Sequence, residues 1–249
     1  MSWALASIAT MNLMADLLYP QQCVGCGRLA RGGICRACLA DLPRPGPAVC
    51  GRCGAPTAVA VADCRDCRGR GFAFDVARQA VIFTSTVREA ILRLKYRSER
   101  ALADVLGLLL GEVAASLEPQ PVTWVPSGQR RLRERGFDHA RLLAETCASR
   151  LQLPVGPMLV RAREAPPQVG LEPRVRRENL KGVLRCLTPA PSAMLVIDDV
   201  FTTGATASEA ARALKAAGAE RVTVLCLARA LNGRRSTDAV LPVRRSGSC

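Results

Sequence analysis

Four Cys-x-x-Cys pairs follow one another between residues 23 and 67: Cys23/Cys26, Cys35/Cys38, Cys50/Cys53 and Cys64/Cys67. From Gln21 to Gly71 the large aliphatic side chains are few (Val24, Leu29, Ile34, Leu39, Leu42, Val49, Val59 and Val61). That is too little apolar material for a segment of this length to fold by burial alone. Structural zinc held by four thiolates removes the difficulty, since it contributes roughly 10–16 kcal/mol of apparent binding energy. A single pair would be compatible with dithiol redox chemistry, but four in succession have the arrangement of metal knuckles. Two four-cysteine sites, hence two zinc ions, are expected, with no open coordination position for catalysis. Sequential pairing gives C-x2-C-x8-C-x2-C and C-x2-C-x10-C-x2-C ribbons, and interleaved pairing is equally compatible with the spacing. Gly27 and Gly54, directly after Cys26 and Cys53, suit tight turns whose amides face the thiolates.

Disulfides are the other common use of so many cysteines, and they belong to oxidising compartments. The first twenty residues are moderately apolar, but they lack a basic leader and carry Asp16, so a secretory signal is not expected. Leu5, Ile8, Leu13, Leu17 and Leu18 mark a short N-terminal helix over 1–20, ending at Pro20. No uncharged apolar run reaches the length of a membrane span. A cytoplasmic protein is expected.

Beyond the double zinc ribbon of 21–71, the pattern changes to strands alternating with amphipathic helices. Strands are predicted at Ala80–Thr84, Val122–Pro126, Met194–Ile197 and Arg221–Leu227. Helices are predicted through Val87, Ile91 and Leu94, through Leu102, Leu106 and Val113, over Asp138–Leu151, and over Ala205–Ala217 with Gly218 as the stop. Such alternation predicts an α/β domain over 72–230, with a mainly parallel sheet covered on both faces. A polar, basic and disordered tail is expected over 231–249.

The segment Met194–Glu209, MLVIDDVFTTGATASE, carries the most chemistry. A buried strand delivers Asp198 and Asp199 to its carboxyl end, where ligands bind in open α/β sheets. The turn Thr202-Thr203-Gly204-Ala205-Thr206 then enters a helix. Hydroxyls and free amides at a helix N-terminus suit a phosphate dianion, and Gly204 allows close backbone approach. A helix cap accounts for one threonine. It does not account for two acids, three threonines and a glycine in one turn. Adjacent carboxylates would repel the phosphate, so they are expected to face vicinal hydroxyls or a divalent cation, as a ribose 5-phosphate requires. A Walker-type loop is excluded because no GK[ST] follows.

IDDVFTTGATASE is similar to the phosphoribosyl pyrophosphate (PRPP) signature of type I phosphoribosyltransferases. With the four upstream Cys-x-x-Cys pairs, the chain resembles the ComF family, double-zinc-ribbon phosphoribosyltransferase-like proteins linked to natural competence. LRLKYRSERALADVLG at 92–107, RRLRERGFDHARLLA at 130–144, and the run from Pro167-Gln168 to Arg176-x-x-Asn179 extend the resemblance over nearly the whole chain. It implies a type I phosphoribosyltransferase fold, Asp198 and Asp199 against ribose hydroxyls, Thr202 to Thr206 on the 5′-phosphate, and magnesium bound with PRPP. It places a pyrophosphate loop around Ser127 and Gly128. Two positions depart from the family pattern: Pro126-Ser127-Gly128-Gln129 stands where Pro-Leu-His-Pro is usual, and Asp138-His139 where Asn-Gln is common.

The net charge of +14 implies an anionic partner. Arg130, Arg131, Arg133 and Arg135 follow the expected pyrophosphate loop, and Arg176 lies in a second basic run at 161–185. They are candidates to clamp pyrophosphate or to track a single-stranded DNA backbone. Aromatics make up only 4% of the chain, so DNA binding would be mainly electrostatic. His139, the sole histidine, is expected to be structural. The expected function is binding of PRPP or a related ribose 5-phosphate in DNA uptake, with a competence-machinery protein as a further partner. The alternatives are an active phosphoribosyltransferase of nucleotide metabolism, and a non-catalytic DNA-binding or adaptor protein.

Overall fold

A computed structural model describes residues 21–97, 99–163 and 180–231. The helix expected over 1–20, the tail beyond Leu231 and the candidate Arg176 lie outside the described residues.

Four parallel strands form the central sheet: β1 (Val76–Ile82), β2 (Val122–Trp124), β5 (Ala193–Phe201) and β6 (Arg221–Arg229), in the spatial order β1-β6-β5-β2. Strands β5 and β6 are apolar over most of their length because both faces of the sheet are covered. Helices α2 (Ser85–Tyr96), α3 (Ala101–Ala114) and α5 (His139–Leu151) contribute to one core, with Leu195, Ile197, Leu225 and Leu227 from the sheet. Helix α6 (Ala205–Ala216) lies against β5 and β6 on the other core, with Met194, Val196, Val222 and Val224. Two short helices are also present among the described residues: α1 (Arg36–Ala40) and α4 (Gln129–Arg135). The expected architecture, a parallel sheet flanked by helices and preceded by a cysteine module, is the observed one.

Three local differences have identifiable causes. The first strand starts at Val76, not Ala80: Arg78 and Gln79 interrupt the apolar pattern in the sequence yet lie within the strand. Both donate to the ribbon, Arg78 to the Gly51 carbonyl at 2.8 Å and Gln79 to the Cys53 carbonyl at 3.0 Å. The strand carrying the acid pair continues to Phe201, which pairs with Arg229 of β6. An antiparallel hairpin, β3 (Leu159–Arg161) with β4 (Leu184–Cys186), had too few residues per strand to leave a periodicity.

The cysteine module is built into this core on both sides. Cys23, Val24, Ile34 and Leu42 join the α2/α3/α5 core, whereas Cys50, Cys53, Cys64 and Cys67 join the α6 core. Among the described residues no helix is long and apolar enough to cross a membrane.

Candidate functional site

The eight cysteines separate into two groups, Cys23/Cys26/Cys35/Cys38 and Cys50/Cys53/Cys64/Cys67, which resolves the pairing as sequential. Sulfurs placed tetrahedrally about 2.3 Å from a zinc ion would lie about 3.8 Å from one another. The Sγ···Sγ separations are 3.8 Å for Cys26–Cys35, 3.8 Å for Cys50–Cys67, 3.7 Å for Cys53–Cys64 and 3.9 Å for Cys64–Cys67. The donor set therefore fits zinc in size and in kind. Backbone amides favour the thiolates: Cys35 donates to Cys23 Sγ at 3.3 Å and Cys64 to Cys50 Sγ at 3.2 Å. Burial alone would raise the Cys23 thiol, but the amides of Cys35, Cys26 and Gly25 outweigh it and draw it down to about 6. Cys50 is drawn to about 7 in the same way by Cys53, Cys64 and Arg52. The turn amides thus face the thiolates as expected, Gly25 donating to Cys23 Sγ at 3.4 Å. Gly27 and Gly54, both at positive φ, close their turns on the carbonyls of Cys23 and Cys50 at 2.9 Å.

The second candidate site lies at the carboxyl edge of the sheet, where β2 and β5 are neighbours. Side chains alternate along a strand, so Asp198 and Asp199 project to opposite faces. Asp199 meets α2 and α5: Lys95 forms an ion pair with its Oδ2, and His139 Nε2 lies 3.0 Å from the same oxygen. Burial opposes ionisation of Asp199, yet Lys95 and His139 overcome it and hold the carboxyl well below the usual range. Burial and the Asp199 charge push Asp198 up to about 7, and its Oδ1 accepts the Asp199 amide at 2.9 Å. The two carboxyls are thus shifted in opposite directions, which their adjacency in sequence does not reveal.

The loop after β2 sits beside this pair. The Ser127 amide donates to Asp138 Oδ2 and its hydroxyl to Asp138 Oδ1, both at 3.0 Å, while the hydroxyl lies 3.4 Å from His139 Nδ1. The two departures from the family pattern, at 126–129 and 138–139, thus contact each other. Asp138 also caps α5, accepting from the Ala140 amide at 3.1 Å. Arg135 Nη1, like the Ser127 hydroxyl, lies 3.4 Å from His139 Nδ1, while Nε2 on the other side of the ring faces Asp199. The Arg135 guanidinium lies 4.6 Å from the centre of the Tyr96 ring, and Arg161 of β3 donates to the Pro126 carbonyl at 2.9 Å. Of the other loop candidates, Arg130, Arg131 and Arg133 are exposed on α4, with Arg130 paired to Glu134 at 3.4 Å, and Gly128 is the α4 N-cap.

The threonine turn follows β5 directly. Gly204, at φ +76°, is the N-cap of α6 and has no side chain with which to close the helix end. Thr203 Oγ1 accepts from the Ala205 amide at 3.4 Å, and Thr206 lies in the first turn of α6. A Cβ at position 204 would lie 2.8 Å from Phe201 Cζ and 3.0 Å from Phe72 Cε1, so glycine is required by space as well as by φ. Sequence reasoning missed Lys95 and assigned His139 no partner. Lys95 sits on the half-buried side of a helix whose period signals only its apolar positions.

A family described as "double zinc ribbon domain" matches residues 14–68. Over 212 residues the chain is 31% identical to the DNA utilization protein YhgH of Salmonella typhimurium, covering 82% of this chain and 93% of that protein. It is 26% identical over 220 residues to competence protein F of Haemophilus influenzae, covering 84% and 95% of the two chains. Among solved structures, the glutamine PRPP amidotransferase of B. subtilis aligns at a TM-score of 0.38 and 19% identity, over 54% of this chain and 30% of that one. With its two cysteine clusters, its parallel sheet and a relative this similar over almost its whole length, the chain belongs to the ComF family, together with YhgH and competence protein F.

Proposed function

We propose that this protein binds a ribose 5-phosphate bearing a diphosphate, PRPP or a close relative, at the edge where β2 and β5 end, and that it serves DNA uptake or utilisation. The observation that carries this reading is the convergence of three parts on that edge. The Thr202–Thr206 turn offers hydroxyls and helix N-terminal amides to a 5′-phosphate. Asp198 and Asp199 offer acceptors to ribose hydroxyls. The Ser127 loop, with Lys95, His139 and Arg135 close by, suits the diphosphate end. Lys95 already neutralises Asp199, so magnesium is expected to be held chiefly by diphosphate oxygens, where it offsets their charge. The chain's own residues position the sugar. The link to DNA rests on kinship with proteins named for DNA utilization and competence.

Separate titrations with PRPP, ribose 5-phosphate and inorganic pyrophosphate, each with magnesium, test the reading. PRPP should bind most tightly and ribose 5-phosphate measurably. Binding of pyrophosphate as tight as that of PRPP would exclude a role for the sugar-recognising half. A screen of amine and base acceptors for pyrophosphate release then separates binding from catalysis. In a transfer, the acceptor bonds to C1 while the C1–O bond breaks and pyrophosphate leaves with the electron pair.

A second reading is favoured by the exposed arginines of α4, which adjoin the Ser127 loop. Arg130, Arg131 and Arg133 would contact the phosphates of single-stranded DNA, with an affinity that falls steeply as salt rises.

A further inference from the structure

The second cysteine cluster and the threonine turn border one small cavity, whose lining includes Cys53, Cys67, Arg70, Thr202, Thr203 and Arg229. No described residue of the first cluster borders it. Arg229, the last residue of β6, is only 5% exposed. Its Nη1 donates to the Cys53 carbonyl at 2.7 Å and its Nη2 lies 3.5 Å from Cys53 Sγ. A buried guanidinium requires a counter-charge. Four thiolates around one divalent zinc carry a net charge of −2 and would supply it.

On its other side the Arg229 guanidinium lies 4.8 Å from the centre of the Phe201 ring, the residue with which it also pairs across the strands. Phe201 packs against the turn, its ring edge occupying the space a side chain at position 204 would need. The chain leaving the second cluster supports the turn from behind. Phe72 stacks on Phe74 with centroids 4.7 Å apart, and the Ala73 amide donates to Ser208 Oγ of α6 at 3.0 Å.

We propose that the second cysteine cluster is a structural part of the anion site, and that Arg229 is the positioning residue through which its zinc sets the shape of the Thr202–Gly204 turn. The proposal deepens the functional reading and rests on it for the identity of the ligand. Zinc in the second cluster, and not in the first, then controls ribose 5-phosphate binding. Arg229 touches no reacting atom; it acts through Phe201.

The test follows amide hydrogen exchange, zinc content and ribose 5-phosphate affinity during stepwise removal of zinc from the full chain by a chelator. Exchange in 23–38 and 50–67 reports which cluster has emptied, and protection of 195–197 reports that the sheet persists. Exchange at 202–207 should stay unchanged while only the first cluster empties, then rise at least tenfold with loss from the second, with affinity falling by a similar factor. Arg229→Gln, carrying both zinc ions, should loosen 202–207 to a comparable extent, and Arg229→Lys should restore part of the protection. Unchanged exchange at 202–207 in Arg229→Gln, or after the second cluster has emptied, would overturn the proposal. If the unmodified protein binds no ribose 5-phosphate, the functional reading fails on its own, and the exchange data still decide the coupling.

Discussion

Lys95 and Asp199, from α2 and β5, form an ion pair at the carboxyl edge of the sheet, with His139 as a third member on the same carboxylate oxygen. Both side chains are mostly buried, at 20% and 13% exposure. Removing one member of such a pair leaves the other charged and desolvated. Lys95→Met should therefore cost about 2–4 kcal/mol in urea denaturation, and Lys95→Arg should retain part of that. A loss below about 0.5 kcal/mol would place the pair among exposed, weakly contributing ones.

Asp198 gives a pH signature of the opposite sense. Burial and the Asp199 charge raise its carboxyl to about 7, against the opposing pull of Lys95 and Arg161. A raised acid favours the folded state while protonated, so its contribution is fully present below the ordinary carboxylate value and is lost as pH rises towards 7. The Asp198→Asn variant should accordingly gain melting temperature over the unmodified protein at pH 8, with the gain shrinking towards pH 5. Asp199, held well below the usual range, stays ionised across that window. A constant Asp198→Asn difference from pH 5 to pH 8 would contradict the assignment.

The two zinc sites should differ in lability. Cys26 of the first cluster is exposed and Cys35 and Cys38 are half-buried, whereas all four ligands of the second cluster are buried. Metal analysis after gentle purification should find about two zinc ions per chain, given two four-thiolate sites. A chelator should remove the first cluster's ion faster. Simultaneous release, or a zinc content near zero, would contradict two independent structural sites.

Much of this site is visible in the chain because its parts are local. IDDVFTTGATASE places acids, turn and helix start within one strand–loop–helix unit, and each cysteine cluster is closed by neighbouring pairs. The hidden parts depend on distant segments meeting. Lys95 reaches Asp199 from a helix on another part of the chain, and His139 meets the same carboxylate from the segment after β2, which lies beside β5. Arg229 lay just beyond a strand expected to end at Leu227, where its basic side chain broke the apolar run; the structure buries it against the second cluster. Likewise Arg78 and Gln79 fell before a strand expected to start at Ala80, and only the ribbon carbonyls that accept from them show why they belong to it.

The central claim is that Asp199 and the Thr202–Thr206 turn hold one sugar phosphate. Calorimetric titration of PRPP with magnesium into the unmodified protein and into the Asp199→Asn/Thr203→Ala double variant tests it most directly. A saturable one-to-one isotherm is expected for the first and at least a hundredfold weaker binding for the second, roughly 2.7 kcal/mol. Equal affinity in a folded, zinc-loaded double variant would contradict it.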